Sequence, residues 1–437
     1  MLGFEKLVSG FREKLEKLPD KRTGKNTKYS IKDAVLGAFA VFFTQSPSFL
    51  AHQKAMEKSK GKSNAKTLFQ IEKVPSDNQI RTLLDPIKPE ELNVVFEEIL
   101  KELEEGGQLE KFRVLEGQLL VSMDGTRYFT SKAINCSNCQ HSTNSKGETS
   151  YYHTAITPVI VAPQCGEVIS LAPEYIVPQD GYEKQDCERM AAKRWVSQQG
   201  KQFKAFKATL LGDDLYSNQP LCQLILDNKM NFIFVCKPDS HKILYEWLDF
   251  LDKNDDIEQT TCRRWNGRFT EIITCRYVSD VPLRGGETAL NVNWLEVTIT
   301  HSKTGQPLYF NSFVTNHSLS ATTVFPLADA GRARWKVENE NNNVLKTKGY
   351  HLEHNFGHGQ HHLASFLLSL NLLAFLFHTV LELVDDNYRL LRQALGPRQT
   401  FFNDIKTLTR YLFFDSWHHL LLFMITQLEL DLTFDSS

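Results

Sequence analysis

The sequence has almost no net charge and shows no internal repeat. Its 437 residues include 50 Lys or Arg and 52 Asp or Glu, which gives a formal net charge of -2. With 41% hydrophobic and 23% charged residues, the composition is that of an ordinary globular protein and excludes a largely disordered chain. The length allows two or three domains with a sizeable core.

An apolar signal segment and a disulfide framework are also missing from the pattern. The first twenty residues mix charges into an amphipathic helix, so we expect no secretory signal and a cytoplasmic protein. The eight cysteines are scattered, which in a reducing compartment favours free thiols or metal binding over disulfides. Residues 363–384 are apolar over nearly the length of a membrane span, but polar residues interrupt them, and a buried core helix is the better prediction.

Positive charge is concentrated in the N-terminal part. Residues 1–73 carry 15 Lys or Arg against 7 acids, a local excess of 8, which suggests a polyanionic partner. The segment SKGKSNAKT contains Lys60, Lys62 and Lys66, directly follows Lys58, and reads as a basic loop. These lysines either contact phosphates without reading sequence or form a solvated loop.

The hydrophobic period changes along the chain and predicts an α+β or mixed α/β fold. A helical, basic N-terminal part is followed by a mixed sheet flanked by helices, an inserted β-rich domain, a return to the helical side of the core, and a helical C-terminal part. The predicted domains are residues 1–112, 113–237, 238–328, 329–380 and 381–437.

Two acids stand where predicted strands end. Asp124 follows the apolar strand in LLVSMDGT, with Gly125 allowing a tight turn, and Asp213 follows the strand in ATLLGDDLYS. Each acid alone could simply cap a loop. Two carboxylates at the ends of neighbouring strands are the beginning of a Mg²⁺ site, because this ion prefers hard oxygen ligands.

A third acid comes from the helical stretch RWKVENENNNVLKTKGYHLEHNF, residues 334–356. It contains Glu338 and Glu340, which lie about 200° apart around a helix and cannot both face one metal pair.

The motifs MDGT, GDDLYS and RWKVENE resemble the three acid-bearing motifs of DDE transposases with a ribonuclease-H-like core, in particular the insertion-sequence-four (IS-four) group. The resemblance covers roughly residues 113–380. In that group the first Asp lies on the first strand, the second on the fourth strand in an Asp-x-x-aromatic pattern, and the Glu on a late helix after an inserted β domain. The resemblance implies Asp124, Asp213 and Glu338 as catalytic metal ligands.

The helix signature of that group, Tyr-x2-Arg-x3-Glu-x6-Lys, selects between the two glutamates. Arg334 and Glu338 match its Arg-x3-Glu portion, which leaves Glu340 as a solvated or structural acid. The Tyr position of the signature is Gly331 here. The Lys position is Leu345, and Lys346 follows one residue later. The resemblance implies Arg334 and Lys346 as phosphate ligands.

By the same resemblance, the chain would bind two Mg²⁺ or Mn²⁺ ions, with Asp124 bridging both and Asp213 and Glu338 each completing one. It would cleave DNA at the ends of an insertion sequence, transfer the freed 3′-hydroxyl to target DNA, and act at least as a homodimer on DNA. The alternatives are a catalytically silent or domesticated DNA-binding relative and a metal-dependent nuclease without strand transfer.

Two further groups of residues each have two interpretations. Cys136 and Cys139, with His141 and His153, form either a small structural zinc site or free, packed thiols. The histidine-rich segment at residues 354–362 reads as the polar start of a helix rather than a second metal centre.

An aromatic residue among arginines stands in the predicted β-rich domain. Trp265 lies between Arg263, Arg264 and Arg268 in CRRWNGRF. It either stacks on an unpaired base beside DNA phosphates or belongs to the β core.

Overall fold

The computed structural model describes residues 2–20, 22, 27–56, 59–178 and 184–431. Within these ranges the protein contains one large mixed sheet, a smaller second sheet, and helices before, between and after the strands. This confirms the predicted fold class, a mixed sheet flanked by helices with helical N- and C-terminal parts.

The part of the chain before residue 113 is helical. Its α-helices are α1 (Phe4–Lys14), α2 (Ile31–Phe43), α3 (Phe49–Met56), α4 (Ser59–Phe69), α5 (Asp77–Leu84) and α6 (Asn93–Glu105). The Ser30 hydroxyl caps α2 by accepting the backbone N–H of Asp33 at 3.0 Å. Helix α2 is buried almost all round and forms the centre of this part.

The lysine-rich stretch SKGKSNAKT is part of helix α4, so the prediction of a loop is wrong. The Asn64 side chain is fully buried and donates hydrogen bonds to the carbonyls of Thr409 and Leu412, both at 2.7 Å. Ala65 and Leu68 are buried beside it. The helix forms because this face packs on the C-terminal part of the chain, which the local sequence does not reveal.

The strands, in chain order, are β1 (Arg113–Val114), β2 (Gln118–Ser122), β3 (Gly125–Ser131), β4 (Gln140–Thr143), β5 (Thr149–Ile156), β6 (Val159–Val161), β7 (Ile169–Ser170), β8 (Glu174–Ile176), β9 (Thr209–Gly212), β10 (Asn231–Val235), β11 (Glu258–Trp265), β12 (Thr270–Pro282), β13 (Asn291–His301) and β14 (Pro307–Thr315). The large sheet has the order β11-β12-β13-β14-β10-β9-β2-β6-β7. Strands β2, β9 and β10 run parallel, and β6 and β7 are antiparallel additions. The parallel strands are mostly apolar and almost entirely buried, as is typical of parallel strands whose two faces are both covered.

The predicted β-rich insertion is a continuation of this sheet. Strand β14 pairs antiparallel with β10, with Val314 opposite Phe234, and β13, β12 and β11 follow in order. Residues 238–328 are thus rich in strands, as expected, after one helix, α9 (Lys242–Lys253). The proposed domain boundaries remain a prediction.

Three long strands expected from the sequence are each divided between the two sheets. The breaks fall at Asp124, at Thr157–Pro158 and at residues 171–173, and they separate β2 from β3, β5 from β6, and β7 from β8. The second sheet has the order β3-β5-β4, with β8 paired to β5. The chain therefore crosses from one sheet to the other at Asp124.

The remaining helices surround the sheets and complete the helical part. They are α7 (Lys184–Ala205), α8 (Gln219–Asp227), α10 (Val324–Arg332), the π-helix Val337–Asn342, α11 (Asn343–Thr347), α12 (Leu363–Val384), α13 (Asp386–Leu395), α14 (Arg398–Tyr411) and α15 (Trp417–Gln427). Helix α12 is long and apolar enough to cross a membrane, but 83% of its most apolar window is buried within the protein. It packs against α2, where the rings of Phe39 and Phe377 lie 4.8 Å apart, as expected for a core helix.

Candidate active site

The two strand-end acids lie at one edge of the large sheet. Strand β2 pairs in parallel with β9, with Ser122 opposite Leu211, so Asp124 and Asp213 leave the sheet side by side. Both acids are half-buried. Of the five strands β2, β6, β7, β9 and β10, the acids follow the first and the fourth, the arrangement that the family resemblance implied.

The acid-bearing helix is attached to this edge by its asparagines. The amide-rich stretch forms the π-helix, in which Asn341 and Asn342 are buried. The Ser170 hydroxyl donates to Asn341 at 3.2 Å, and the Thr157 hydroxyl donates to Asn342 at 2.8 Å. The Asn342 side-chain amide donates to the Asp124 carboxylate at 3.2 Å. These amides fix the helix against the strands, and π-bulges of this kind are frequent at functional sites.

Glu338, rather than Glu340, lies on the side of the helix that faces the strand-end acids. Its negative charge raises the pKa of Asp124, while its carboxylate forms an ion pair with Arg334 at 2.8 Å. Glu340 lies near Lys336, whose ammonium donates to the carbonyls of Ala162 and Pro163. Glu338 therefore acts electrostatically on Asp124, and its role as a metal ligand stays a prediction.

Asp124, Asp213 and Glu338 form an acid cluster, and the charges of the other two both act on Asp124. Burial raises its pKa to about 7, helped by the negative charges of Glu188, Glu338 and Asp213, while Arg334 opposes the rise. Burial also raises the pKa of Asp213, against the Leu215 N–H, which donates to its carboxylate at 2.9 Å, and the charge of Arg334. Carboxylates crowded in this way favour a bound cation.

Glu188 is a fourth carboxylate that the sequence analysis missed. It lies on α7, is 9% exposed, and accepts a hydrogen bond from the Tyr216 hydroxyl at 2.9 Å. A Cβ atom at Gly125 would lie 2.7 Å from this carboxyl group, so a larger residue there would force the carboxyl group to move. The available signal was an acid within the buried stripe of α7, between Cys187 and Ala191.

Asp214 makes its contacts with the segment after β10, unlike its neighbour Asp213. Its carboxylate accepts the backbone N–H of Lys237 at 2.6 Å and the Ser240 hydroxyl, and it lies 3.4 Å from the His241 ring. Burial acts against ionisation, but these contacts outweigh it and lower the pKa of Asp214. Asp214 therefore holds the turn after β10, which leaves Asp213 to the acid cluster.

The predicted DNA-binding residues are spread over the molecule. Lys346 pairs with Glu353 at 2.9 Å, and Arg264 forms a two-point ion pair with Asp329 at 2.7 and 3.1 Å. Trp265 is 64% exposed at the end of β11, which excludes the interpretation as a β-core residue.

The remaining basic candidates lie at the surface wherever they are described. Arg263 is exposed on β11, and Lys60 and Lys62 are exposed on α4. Lys66 pairs with Glu72 at 3.2 Å. Lys58 lies outside the described residues.

A second group of side chains lies on the smaller sheet. Cys136, Cys139, His153 and His358 have ligand atoms within 4.8 Å of one another, and within the described ranges no other set of three or more Cys, His, Asp or Glu is this close. The sequence-based choice of His141 is wrong, because it is exposed on β4 while His358 arrives from the histidine-rich segment. That segment therefore contributes to a site that could hold a metal, contrary to prediction.

The thiols of this group have unequal acidity. Burial raises the pKa of Cys136, but hydrogen bonds with His153 and His358 outweigh this effect and lower it to about 5. Burial raises the pKa of Cys139 to about 11. One thiolate next to imidazoles is the usual setting of a reactive or metal-binding cysteine.

No protein-family model matches the sequence, and no curated protein matches it. One solved structure to which the chain shows some similarity is the cryo-EM structure of a piggyBac transposase synaptic complex with hairpin DNA. The similarity covers 99% of this chain and 84% of that chain, with a TM-score of 0.41 and 9% sequence identity. Similarity at this level carries no function across, so the chemistry is inferred from the residues of the site.

Replacing Asp124 by Asn should stabilise the metal-free protein at alkaline pH. The folded-state pKa of about 7 lies above the ordinary value of 3.8, so stability from this group is full below pH 3.8 and is lost as the pH rises to about 7. In EDTA at about pH 8, we expect Asp124→Asn to melt several degrees above wild type, and the two to converge near pH 4. Thermal melts followed by circular dichroism test this.

Asp214→Asn is the matched control, because the pKa of Asp214 is shifted downward. It should lower the melting temperature at about pH 8. An Asp124→Asn protein that melts below wild type at this pH would contradict the charge crowding described here.

Proposed function

We propose that this protein is a DDE transposase that binds the ends of an insertion sequence and catalyses metal-dependent DNA cleavage and strand transfer. The supporting observation is the meeting of Asp124, Asp213 and Glu338 at one sheet edge, from two parallel strands and a π-helix. The motif resemblance to the IS-four group named the same three acids. The proposal includes a cytoplasmic protein that works as a homodimer on DNA.

The residues of the site fit a pair of Mg²⁺ or Mn²⁺ ions. Carboxylate oxygens are the ligands that these ions prefer, and burial with like charge makes the cluster unfavourable without a cation. When bound, two such ions activate the attacking oxygen and stabilise the leaving oxygen of a phosphodiester. Asp124, Asp213 and Glu338 would hold them, with Glu188 close enough to add negative charge.

Arg334 links the acids to the proposed substrate. Its guanidinium pairs with Glu338, and its charge acts on both Asp124 and Asp213. With Glu338 holding a metal ion, Arg334 would be free to bind a phosphate of the substrate. A guanidinium binds phosphate oxygens in a two-point geometry, so Arg334 is the phosphate ligand that we favour.

DNA contacts outside the acid cluster are proposed at three places. The exposed Lys60 and Lys62 on α4 would contact phosphates, and Lys346 would approach the strand near the acids. Trp265, with the exposed Arg263 beside it and Arg264 on the same strand, would stack on an unpaired base. A DNA-binding relative without catalysis and a nuclease without strand transfer remain the alternatives.

The acid assignment predicts which substitutions abolish catalysis. Asp124→Asn, Asp213→Asn and Glu338→Gln should each reduce cleavage and joining of labelled DNA carrying the element's own ends by at least about 10³-fold with Mg²⁺, because each removes a metal ligand. Glu340→Gln is the matched control, on the same π-helix, and should retain activity.

The reaction products distinguish a transposase from a nuclease and from a DNA-binding relative without catalysis. Joined product identifies a transposase, whereas cleavage without joining identifies a nuclease. Wild-type protein that binds the ends and never cuts them would support the silent relative. A dead Glu340→Gln with an active Glu338→Gln would contradict the helix assignment.

Glu188 should increase the affinity of the site for metal without being a required ligand. Glu188→Gln removes negative charge beside Asp124, so we expect cleavage to need about 10–100-fold more Mg²⁺, with recovery at high Mg²⁺. A titration of cleavage rate against Mg²⁺ measures this. Glu246→Gln, on the exposed face of α9, is the control, and an unchanged Mg²⁺ requirement in Glu188→Gln would exclude the role.

Trp265 should contribute to DNA ends that contain unpaired bases. Trp265→Ala should weaken their binding by about 1–3 kcal/mol, the usual value for one base stacked on an aromatic ring, and should leave fully paired DNA unaffected. Trp247→Ala, which removes another exposed tryptophan, is the matched control. Equal losses on both DNAs, or in both variants, would argue against stacking by Trp265.

A further inference from the structure

The Cys/His group joins two neighbouring segments of the smaller sheet to a loop that is distant in the sequence. Cys136 and Cys139 lie in the turn between β3 and β4, His153 lies on β5, and His358 lies in the loop before α12. His153 and His358 are 205 residues apart, and their Nε2 atoms lie 3.1 Å from each other. The fold therefore adds a fourth potential ligand, His358, to three that the sequence had already grouped.

Five of the six distances within the group are close to the edges of a tetrahedron around one ion. The two sulfur atoms lie 3.9 Å apart. The sulfur-to-nitrogen distances to His153 are 3.6 and 3.4 Å, and Cys139 Sγ lies 3.3 Å from His358 Nε2. Tetrahedral zinc with ordinary bond lengths requires about 3.8 Å between sulfurs, about 3.5 Å between sulfur and nitrogen, and about 3.3 Å between nitrogens.

Hydrogen bonds among these four groups are a poorer explanation of the geometry. Only one proton can lie between the two Nε2 atoms, and thiols are weak donors and acceptors. The His358 Nδ1 atom lies 2.9 Å from the Gly359 carbonyl, which presents Nε2 as the free ligand atom. The rings of Tyr128 and Phe129 pack on the histidines, and three of the four ligand residues are buried.

We propose that Cys136, Cys139, His153 and His358 bind one structural Zn²⁺ ion. Two thiolates and two imidazoles in a tetrahedron are a zinc ligand set, and the softness of the sulfur ligands disfavours Mg²⁺ and Ca²⁺. All four positions are filled by protein, so the ion has no open site for a substrate. This metal is separate from the ions of the acid cluster, and its binding does not depend on the proposed function.

The position of the ion indicates what it stabilises. The Asn138 side chain donates to the His361 carbonyl at 2.8 Å, and the Asp85 carboxylate accepts backbone N–H groups from residues 360–363. The ion would therefore fasten the β3–β4 turn to the loop that starts α12. Strand β3 begins directly after Asp124, so the same hairpin carries a catalytic ligand and the zinc ligands.

Metal analysis of the full-length protein, purified without DNA in a reducing buffer, tests the site. We expect one zinc ion per chain by inductively coupled plasma mass spectrometry. After removal by a chelator, Co²⁺ should produce the thiolate charge-transfer band and the visible spectrum of a tetrahedral site. Wild-type protein that holds no zinc, gives no cobalt spectrum, or carries a Cys136–Cys139 disulfide would overturn the proposal.

Matched histidine variants test the ligand set. His358→Ala and His153→Ala should lose stoichiometric zinc, whereas His361→Ala and His141→Ala should retain it, because their side chains lie outside the tetrahedron. Circular dichroism establishes that each variant is folded. Should His358→Ala not fold, the cobalt spectrum of wild type decides alone. Zinc retained by a folded His358→Ala, or lost in His141→Ala, would overturn the assignment.

Discussion

The parallel pairing of β2 with β9 is the contact on which the candidate active site depends. It brings Asp124 and Asp213 to one sheet edge, although 88 residues separate them in the chain. The third acid arrives by a different route, because the π-helix is held to the same edge through Asn341 and Asn342. The strand pairing thus places the two aspartates, and the two buried asparagines place the helix that carries Glu338 at the same edge.

Several carboxyl groups lie close together in the site, and neighbouring side chains partly compensate their negative charge. Arg334 pairs with Glu338 and acts on both aspartates, and the Tyr216 hydroxyl satisfies Glu188. Even so, burial and like charge raise the pKa of Asp124. A buried carboxyl group with a pKa raised in this way supports the proposal of a cation site, since stability alone would select a neutral side chain.

The smaller sheet connects this edge with the helical part of the molecule. The chain leaves the large sheet at Asp124, forms the hairpin with the Cys/His group, and returns at Thr157, whose hydroxyl contacts Asn342. The histidine-rich loop then leads into α12, which packs on the N-terminal helix α2. Chain segments from both ends of the sequence therefore support the strands that carry the acids.

The sequence by itself determined the fold class, the strand-end positions of Asp124 and Asp213, and the preference for Glu338 over Glu340. The first two follow from local periodicity, which acts within one strand or one helix, and the preference for Glu338 follows from the motif resemblance. Tertiary structure alone decided that His358, and not His141, completes the Cys/His group, that Glu188 faces Asp124, and that the lysine-rich segment is a helix. Each of these results depends on contacts between segments far apart in the chain, and local pattern contains no information about which distant surfaces will meet.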